Sequence, residues 1–391
     1  MPILFLALFN SILGLSVLFP ILAPLGRQLG LTEFQIGLLS TAYALMQFLV
    51  SPVWGRRSER VGRKPVMLVG VLGFAAGFLA FAVVAELGIR GVLTGGPLFA
   101  CLLLSRAFGG TFSSATIPTA QAYVADVTGR EDRTAGMAVI GAAFGLGVIF
   151  GPAIGAALAG ISLLAPVYFS AGLALVNAVF IAFRLKEPER HLRATPPELG
   201  PVALKVWPLL CVGVTVNIAS VAMEQTIGFY FQDRLALSGR DTAMAVGLAL
   251  VSYGVVAVIA QGVIVRKLRL HPGQLLGSGV PCALLGFVGL IFAHHLLGLT
   301  LALTLQGFGQ GLAVPGVTSA ASLGVAEDEQ GAVAGLNGSA QALGRLLGPM
   351  VGTALYQVRP EYPYAFSAML LSLVLVLIVT SRRLRTAIGT T

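Results

Sequence analysis

Apolar stretches of about 20 residues recur from one end of the chain to the other, separated by short polar links. A soluble protein would alternate apolar and polar positions to make faces; these stretches do not. At 1.5 Å per residue, about 20 residues cross a hydrocarbon core about 30 Å thick. The pattern predicts transmembrane helices at about 3–25, 34–54, 65–86, 97–123, 135–160, 164–183, 206–232, 242–265, 274–293, 298–322, 332–356 and 364–381. The longest polar link runs from Arg184 to Lys205, holds Pro188, Pro196, Pro197 and Pro201, and divides the twelve spans six and six. The expected fold is therefore an all-α integral membrane protein: a six-helix bundle over 1–184, a linker over 185–205, and a second six-helix bundle over 206–391 that ends in a short basic tail.

The two halves repeat each other. Gly147-x3-Gly151-Pro152-x2-Gly155 in span five matches Gly344-x3-Gly348-Pro349-x2-Gly352 in span eleven at an offset of 197. Ile36-Gly37-Leu38 with Tyr43 in span two matches Val246-Gly247-Leu248 with Tyr253 in span eight at an offset of 210, which aligns Arg56-Arg57 with Arg266-Lys267. Offsets near 200 imply that one six-span unit was duplicated in parallel, the pattern of a two-bundle transporter.

Composition strengthens the membrane reading. The chain has 391 residues, 56% hydrophobic and 10% charged, with mean hydropathy +0.89; a soluble chain carries about 25% charged residues. Its 49 Gly and 20 Pro fit membrane helices. A net charge of +9 on a soluble domain would point to nucleic acid, but here the basic residues sit in the links. Eighteen of the 25 Lys and Arg fall in one alternate set of links and at the C-terminal tail, five in the opposite set, and Arg106 and Arg345 inside spans. The positive-inside rule then puts both termini and the central linker in the cytoplasm of a multi-pass inner-membrane protein. The link Glu327-Asp328-Glu329 breaks the pattern by carrying no basic residue. With no basic n-region or small-residue cleavage site, the first apolar run reads as a span and not a signal peptide. The three Cys and four His show no ligand spacing, so no metal or other cofactor is expected.

Charge is densest at Gly55-Arg56-Arg57-Ser58-Glu59-Arg60-Val61-Gly62-Arg63-Lys64, where six of ten residues are charged between two apolar runs. Gly55 and Gly62 permit backbone conformations that a Cβ resists. Glu59 can cap a neighbouring helix N-terminus, and Arg60 and Arg63 can bridge to Asp126 at the cytoplasmic end of span four. The cluster is expected to latch the bundles together on the inner side; the plainer alternative is a solvated basic loop. This stretch resembles the signature of the major facilitator superfamily, G-x-x-x-D-R-x-G-R-[RK], at Gly55, Arg60, Gly62, Arg63 and Lys64, with Glu59 in the Asp position. The resemblance implies twelve transmembrane helices in two pseudo-symmetric six-helix bundles that rock about a central site.

Further stretches narrow the resemblance. Gly147, Gly151 and Gly155 share one helix face, which lets another helix approach closely, and Pro152 can bend the helix. With Ala156 in place of a usual Gly, the stretch resembles the antiporter signature of the drug–proton antiporter branch, a hinge and proton seal. Leu104-Ser105-Arg106-Ala107-Phe108-Gly109-Gly110 resembles the family's R-x-x-x-G pattern, whose arginine is tied to proton transfer. Arg106 lies roughly 14 Å into the membrane at 1.5 Å per residue, where a charge needs a cavity or a partner; a purely structural role, with its donors on backbone carbonyls, is the alternative. Members of this branch often carry an acid in span one about nine residues before the Pro of an FPILAP-like run; counting back from Pro20 gives only Ser11 and Asn10.

Coupling therefore falls to Glu224 in span seven, on a polar stripe with Asn217, Ser220 and Gly228. Low dielectric disfavours a charged carboxylate, which suits a group that must gain and lose a proton; a fixed ion pair with Arg345 is the alternative. The expected cavity is lined by Asn10, Tyr43, Gln47, Gln121, Asn217, Gln225, Tyr230, Gln306, Gln310, Asn337, Gln341 and Arg345, with Phe229 and Phe231 nearby. An apolar cavity with a few amides suits lipophilic compounds. The function expected is proton-coupled export of lipophilic, neutral or cationic small molecules by a monomer in the bilayer, with no enzymatic activity and no nucleic-acid partner. The rivals are an importer or facilitator of a sugar or organic anion, an integral membrane enzyme, and a receptor or scaffold that has lost transport.

Overall fold

The computed structural model describes residues 2–127, 133–188, 199–268, 270–326 and 329–381. Among them the chain is helical throughout its regular structure, with no strand. In order the helices are α1 (Pro2–Ser16), α2 (Leu22–Gln28), α3 (Glu33–Val61), α4 (Arg63–Ile89), α5 (Gly95–Ser113), α6 (Thr116–Val127), α7 (Arg133–Ala159), α8 (Ala165–Arg184), α9 (Leu199–Leu235), α10 (Gly239–Ile259), α11 (Arg266–Leu268), α12 (Pro272–Phe292), α13 (Leu296–Leu323), α14 (Gln330–Val358) and α15 (Tyr362–Thr380). A π-helical segment, Ala260–Val265, joins α10 to α11.

Ten helical segments among the described residues are long and apolar enough to cross a membrane. The other two predicted spans are present in altered form. Span one is divided into α1 and α2, and α1 stops at Ser16, the residue four before Pro20. A proline ring clashes with the carbonyl four residues back and donates no hydrogen bond. Span four breaks after Ser113 for the same reason, since Pro118 sits four residues past Ser114. Span eleven is α14, whose 29 residues include Asn337, Gln341 and Arg345.

The chain forms two compact units, one of Met1–Arg193 with Leu237–Leu248, the other of Ala194–Ala236 with Ala249–Thr391. In the first unit α1 packs on α7 and α8, and α4 packs on α5 and α8. In the second, α9 packs on α14 and α15, and α12 packs on α13 and α15. These are the same pairings in the same relative order, as a parallel duplication requires. Large apolar side chains such as Leu49, Phe183, Trp207, Phe292 and Val379 stand exposed on the helices, the surface a bilayer covers.

Candidate functional site

The charged segment at residues 55–64 is not a ten-residue turn. Helix α3 runs on through Gly55 to Val61, and the chain breaks at Gly62 alone, where φ is +118°. Gly55 is helical with open space where a Cβ would stand, so its glycine is not required there. Glu59 is exposed in the last turn of α3 and caps no helix among the described residues; Arg60 is exposed beside it. The acid that caps is Glu187, just beyond α8. It accepts from the Arg63 backbone N–H at 2.5 Å and from the Lys64 N–H at 2.9 Å, at the N-terminus of α4. A helix N-terminus is where a carboxylate is favoured. A Cβ on residue 62 would stand 2.8 Å from Glu187 Oε1, so the glycine serves both the turn and the approach of the acid.

Arg63 is buried and reaches two further elements. Its Nε meets Asp126 Oδ2 of α6 at 2.8 Å, and its guanidinium donates to Ser58 Oγ at 2.6 Å. Tyr123 donates to Lys186 O at 2.9 Å beside Glu187. The cluster thus ties α3, α4, α6 and the segment after α8, and all these partners belong to the first unit. Ser58 and Glu187 were not singled out from sequence. Only the run Leu185-Lys186-Glu187-Pro188 after an apolar span hints at Glu187, and its partners lie more than 120 residues away.

The glycine faces form two seams. On α7, a Cβ at Gly147 would stand 2.8 Å from Ile12 Cγ2, and at Gly151 and Gly155 it would collide with Ser16 Oγ and Val17 O. Ser16 Oγ donates across this seam to Gly147 O at 2.7 Å. On α14, a Cβ at Gly344 would stand 2.5 Å from Asn217 Cβ, at Gly348 2.7 Å from Val221 Cβ, and at Gly352 2.8 Å from Ala222 O. Each glycine face therefore presses its helix against the first helix of its own unit. Pro152 and Pro349 lie inside these helices.

Arg106 is buried in the first unit within an aromatic cage. Its guanidinium carbon lies 4.5 Å from the Tyr43 ring centroid, 5.7 Å from Phe78 and 5.8 Å from Phe81. Cation–π attraction is one way to hold a charge away from water. No acid pairs with it among the described residues, and its Nε has no hydrogen-bond partner. The Tyr43 hydroxyl makes a short hydrogen bond with Ser113 Oγ, to which Gln47 Nε2 donates at 2.9 Å. Tyr43 and Gln47 thus support Arg106 and its surroundings through α5.

In the second unit, Glu224 is half-buried on α9 and makes no ion pair within 4 Å among the described residues. Arg345 of α14 and Tyr253 of α10 are the groups within its electrostatic reach. A fixed, closed Glu224–Arg345 bridge is therefore not what this structure holds. Along the same α9–α14 boundary a cleft is lined by Asn217, Asn337 and Gln341 among apolar residues.

Some predicted cavity residues lie elsewhere. Tyr230 is fully buried, donates to Leu290 O at 3.0 Å and packs its ring 4.5 Å from Tyr364; Phe229 and Phe231 are fully buried too. They are core because α9 continues beyond its polar stripe into contact with α12 and α15. Gln306 is fully buried and donates to Ser220 Oγ at 3.2 Å. Asn10 is buried in α1, Gln225 and Gln310 are half-buried, and Gln121 is exposed on α6. The C-terminal end of α9 carries a network absent from the sequence reading: Arg234 pairs with Glu361 at 3.2 Å, and Tyr356 donates to Asp233 at 2.6 Å.

Known proteins share this architecture. The Major Facilitator Superfamily model matches residues 4–349 and 275–387. Multidrug resistance protein 2 of Bacillus subtilis is 27% identical over 93% of this chain and 90% of its own. The quinolone resistance protein NorA of Staphylococcus aureus is 25% identical over 97% and 96%. Among solved structures, the human organic anion transporter MFSD10 superposes with a TM-score of 0.66 at 24% identity, covering 96% of this chain and 98% of its own. The nucleoside transporter NupG superposes with a TM-score of 0.78 at 11% identity, covering 96% and 98%. With the duplicated six-helix pattern and a family match spanning nearly its whole length, the chain belongs to the Major Facilitator Superfamily of multi-pass membrane transporters.

Proposed function

We propose that this chain exports lipophilic, neutral or cationic small molecules in exchange for protons, by alternating access in the inner membrane with both termini cytoplasmic. The observation that carries the reading is Glu224, a half-buried membrane carboxylate with no ion pair within 4 Å among the described residues. The names of the bacterial relatives, multidrug and quinolone resistance proteins, agree with it. In the proposed cycle the Glu224 carboxylate binds one proton from the outer side as substrate leaves. It returns that proton to the cytoplasm as the next substrate binds. Arg345 sets how readily the carboxylate charges, and Arg106 tunes or relays from the first unit. The Arg63–Asp126–Glu187 cluster braces the cytoplasmic end of the first unit so that it moves as one body, and the glycine faces are hinge and seal. The working form is a monomer in the bilayer, with substrate and proton as its partners.

Everted vesicles containing the protein test this. Substrate uptake that dissipates an imposed pH gradient is expected; uptake that leaves the gradient untouched contradicts exchange. One observation favours a second reading. Arg106 is a buried cation with no acid partner among the described residues, and would suit an organic anion. Transport of anionic dyes in preference to cationic ones in the same vesicles would select that reading.

A further inference from the structure

Span eight does not stay α-helical to its end. From Ala260 to Val265 it widens into the π-helical segment, and α11 resumes at Arg266. Such segments are rare and concentrate where a structure uses them. A π turn holds one residue more than an α turn, so everything beyond it is set back by one residue, about 100° and 1.5 Å. The part before it is held in place: a Cβ at Gly311 of α13 would stand 2.7 Å from Ala257 O and 2.9 Å from Ala260 Cβ. Beyond it, Ile264 and Val265 join an apolar cluster with Leu275 of α12 and with Phe308 and Leu312 of α13. Gln261, Gly262 and Val263 face outward; Val263 is 43% exposed, and Gly262 has open space where a Cβ would stand. In a continuous α register each position passes to the residue before it, so Val263 and Ile264 take the places of Ile264 and Val265. The run Val263-Ile264-Val265 thus offers a β-branched aliphatic pair to the same cluster in either register, and cores accept swaps of similar volume. The first unit lacks this freedom. At the repeat offset of 210, Ile264 corresponds to Trp54, whose Nε1 donates to Thr111 O at 2.8 Å and pins α3. Gly262 corresponds to Pro52, inside an unbroken α3.

We propose that span eight carries a register switch. Residues 261–268 alternate between the π register seen here and a continuous α register, while α10 up to Ile259 stays in place. The change turns the cytoplasmic end of the span by about 100°. It moves Lys267, exposed at that end, from one flank of the helix to another, and it exchanges Val265 for Val263 as a packed aliphatic. Two packings of one sequence that differ little in energy are what a switch requires, and a proton or ligand then sets their ratio by favouring one of them. The open ground at Gly262 lets the segment turn without a side chain striking a neighbour. The proposal rests on the export reading and adds to it a moving part inside the second unit, which the rocking of two rigid bundles does not contain.

The test uses the full-length protein in nanodiscs, with Cys101, Cys211 and Cys282 replaced by Ala and a small trifluoroethyl label on Val263→Cys. Fluorine NMR is expected to show two resonances, one with residue 263 outward and one with it packed near Leu312. Their ratio is expected to change at least twofold between pH 6 and pH 8 or on adding ethidium. The same label on Val258→Cys, before the segment, is expected not to respond. A spectrum from residue 263 that neither pH nor ethidium changes overturns the proposal. Deletion of Gly262 removes the extra residue and fixes the α register. In everted vesicles that variant is expected to transport ethidium at least tenfold more slowly than the parent while binding it within twofold; transport at the parent's rate overturns the proposal. If the deletion does not fold, the fluorine spectrum decides alone. Failure of the export reading looks different: the parent itself would leave a pH gradient undischarged, while the resonances of residue 263 would still change in ratio.

Discussion

The α1–α7 seam and the α9–α14 seam are built on the same glycine spacing, yet they carry different chemistry. Across the first, the one polar link described is Ser16 donating to Gly147 O at 2.7 Å, amid Ile12 and Val17. Along the second lie Asn217, Glu224, Asn337, Gln341 and Arg345. The backbone requirement is common, because three small residues on one face let helices touch. The side chains around it are free to diverge once the glycines hold the helices together. Duplication thus kept the packing rule, made one copy a tight apolar contact and let the other gather polar and charged groups.

Substitutions can break or sharpen that comparison. The largest effect is expected from Gly151→Leu, which drives a side chain into Ser16 and its backbone; overpacking typically costs about 1–3 kcal/mol and occasionally more, and a clash with backbone puts this one above that range, read as a lowered unfolding temperature in detergent. Gly348→Leu should match it, since Val221 Cβ stands 2.7 Å from the built Cβ position. Gly141→Leu on the same α7, with open space around it, should change little. Tolerance of Gly348→Leu would show that the second seam is looser than the first.

Next in size is Asp126→Asn. Arg63 and Asp126 side chains are 8% and 7% exposed, and removing one partner of a buried pair leaves the other charge stranded, at roughly 3 kcal/mol. An unfolding temperature equal to the parent's would mean that Arg63 is held by Ser58 and solvent alone. Gly62→Ala follows, at about 1–2 kcal/mol, for the positive φ and the approach of Glu187. Glu187→Gln should fall below that, by about 0.3–1 kcal/mol for the lost charge at the α4 N-terminus. A Glu187→Gln effect larger than that of Asp126→Asn would reverse the ranking of the two acids.

The smallest effect is expected at Lys205–Glu329, a 2.6 Å pair at the surface. The hydrogen bond from Lys205 holds the Glu329 carboxyl below its ordinary range. A depressed carboxyl contributes stability above its unfolded pKa and loses it as pH falls through the folded value. Because the pair is exposed, that contribution is small: Lys205→Ala should lower stability at pH 7 only slightly and remove the matching small part of the loss seen on acidification below about pH 4. A large change at pH 7 would give this pair a structural role that its exposure argues against.

Much of the fold is written locally. Span length, the six-and-six division, the repeat and the glycine faces all follow from residues close together in the chain, and α9, α12, α13 and α15 lie near their predicted positions. The breaks in spans one and four fall four residues before Pro20 and Pro118, but Pro52, Pro152, Pro208, Pro281, Pro315 and Pro349 sit inside unbroken helices, so proline alone does not say where a span divides. The misses needed long-range information. Glu187 and Glu59 are both acids near a helix end, and only the return of the segment after α8 selects Glu187. Tyr230 shares α9 with Glu224, but the packing of α12 and α15 makes it core. Asn337 was visible as a polar residue in an apolar span; its unpaired amide was not, because pairing depends on α9 and α13.

Glu224 carries the central claim, that one carboxylate exchanges a proton for substrate. Proton release on substrate binding tests it most directly, with ethidium added to the purified protein in weakly buffered solution and a pH-sensitive dye as reporter. About one proton released per ethidium bound by the parent, and none by a Glu224→Gln variant that still folds, is the expected result. Undiminished release from that variant would contradict the assignment.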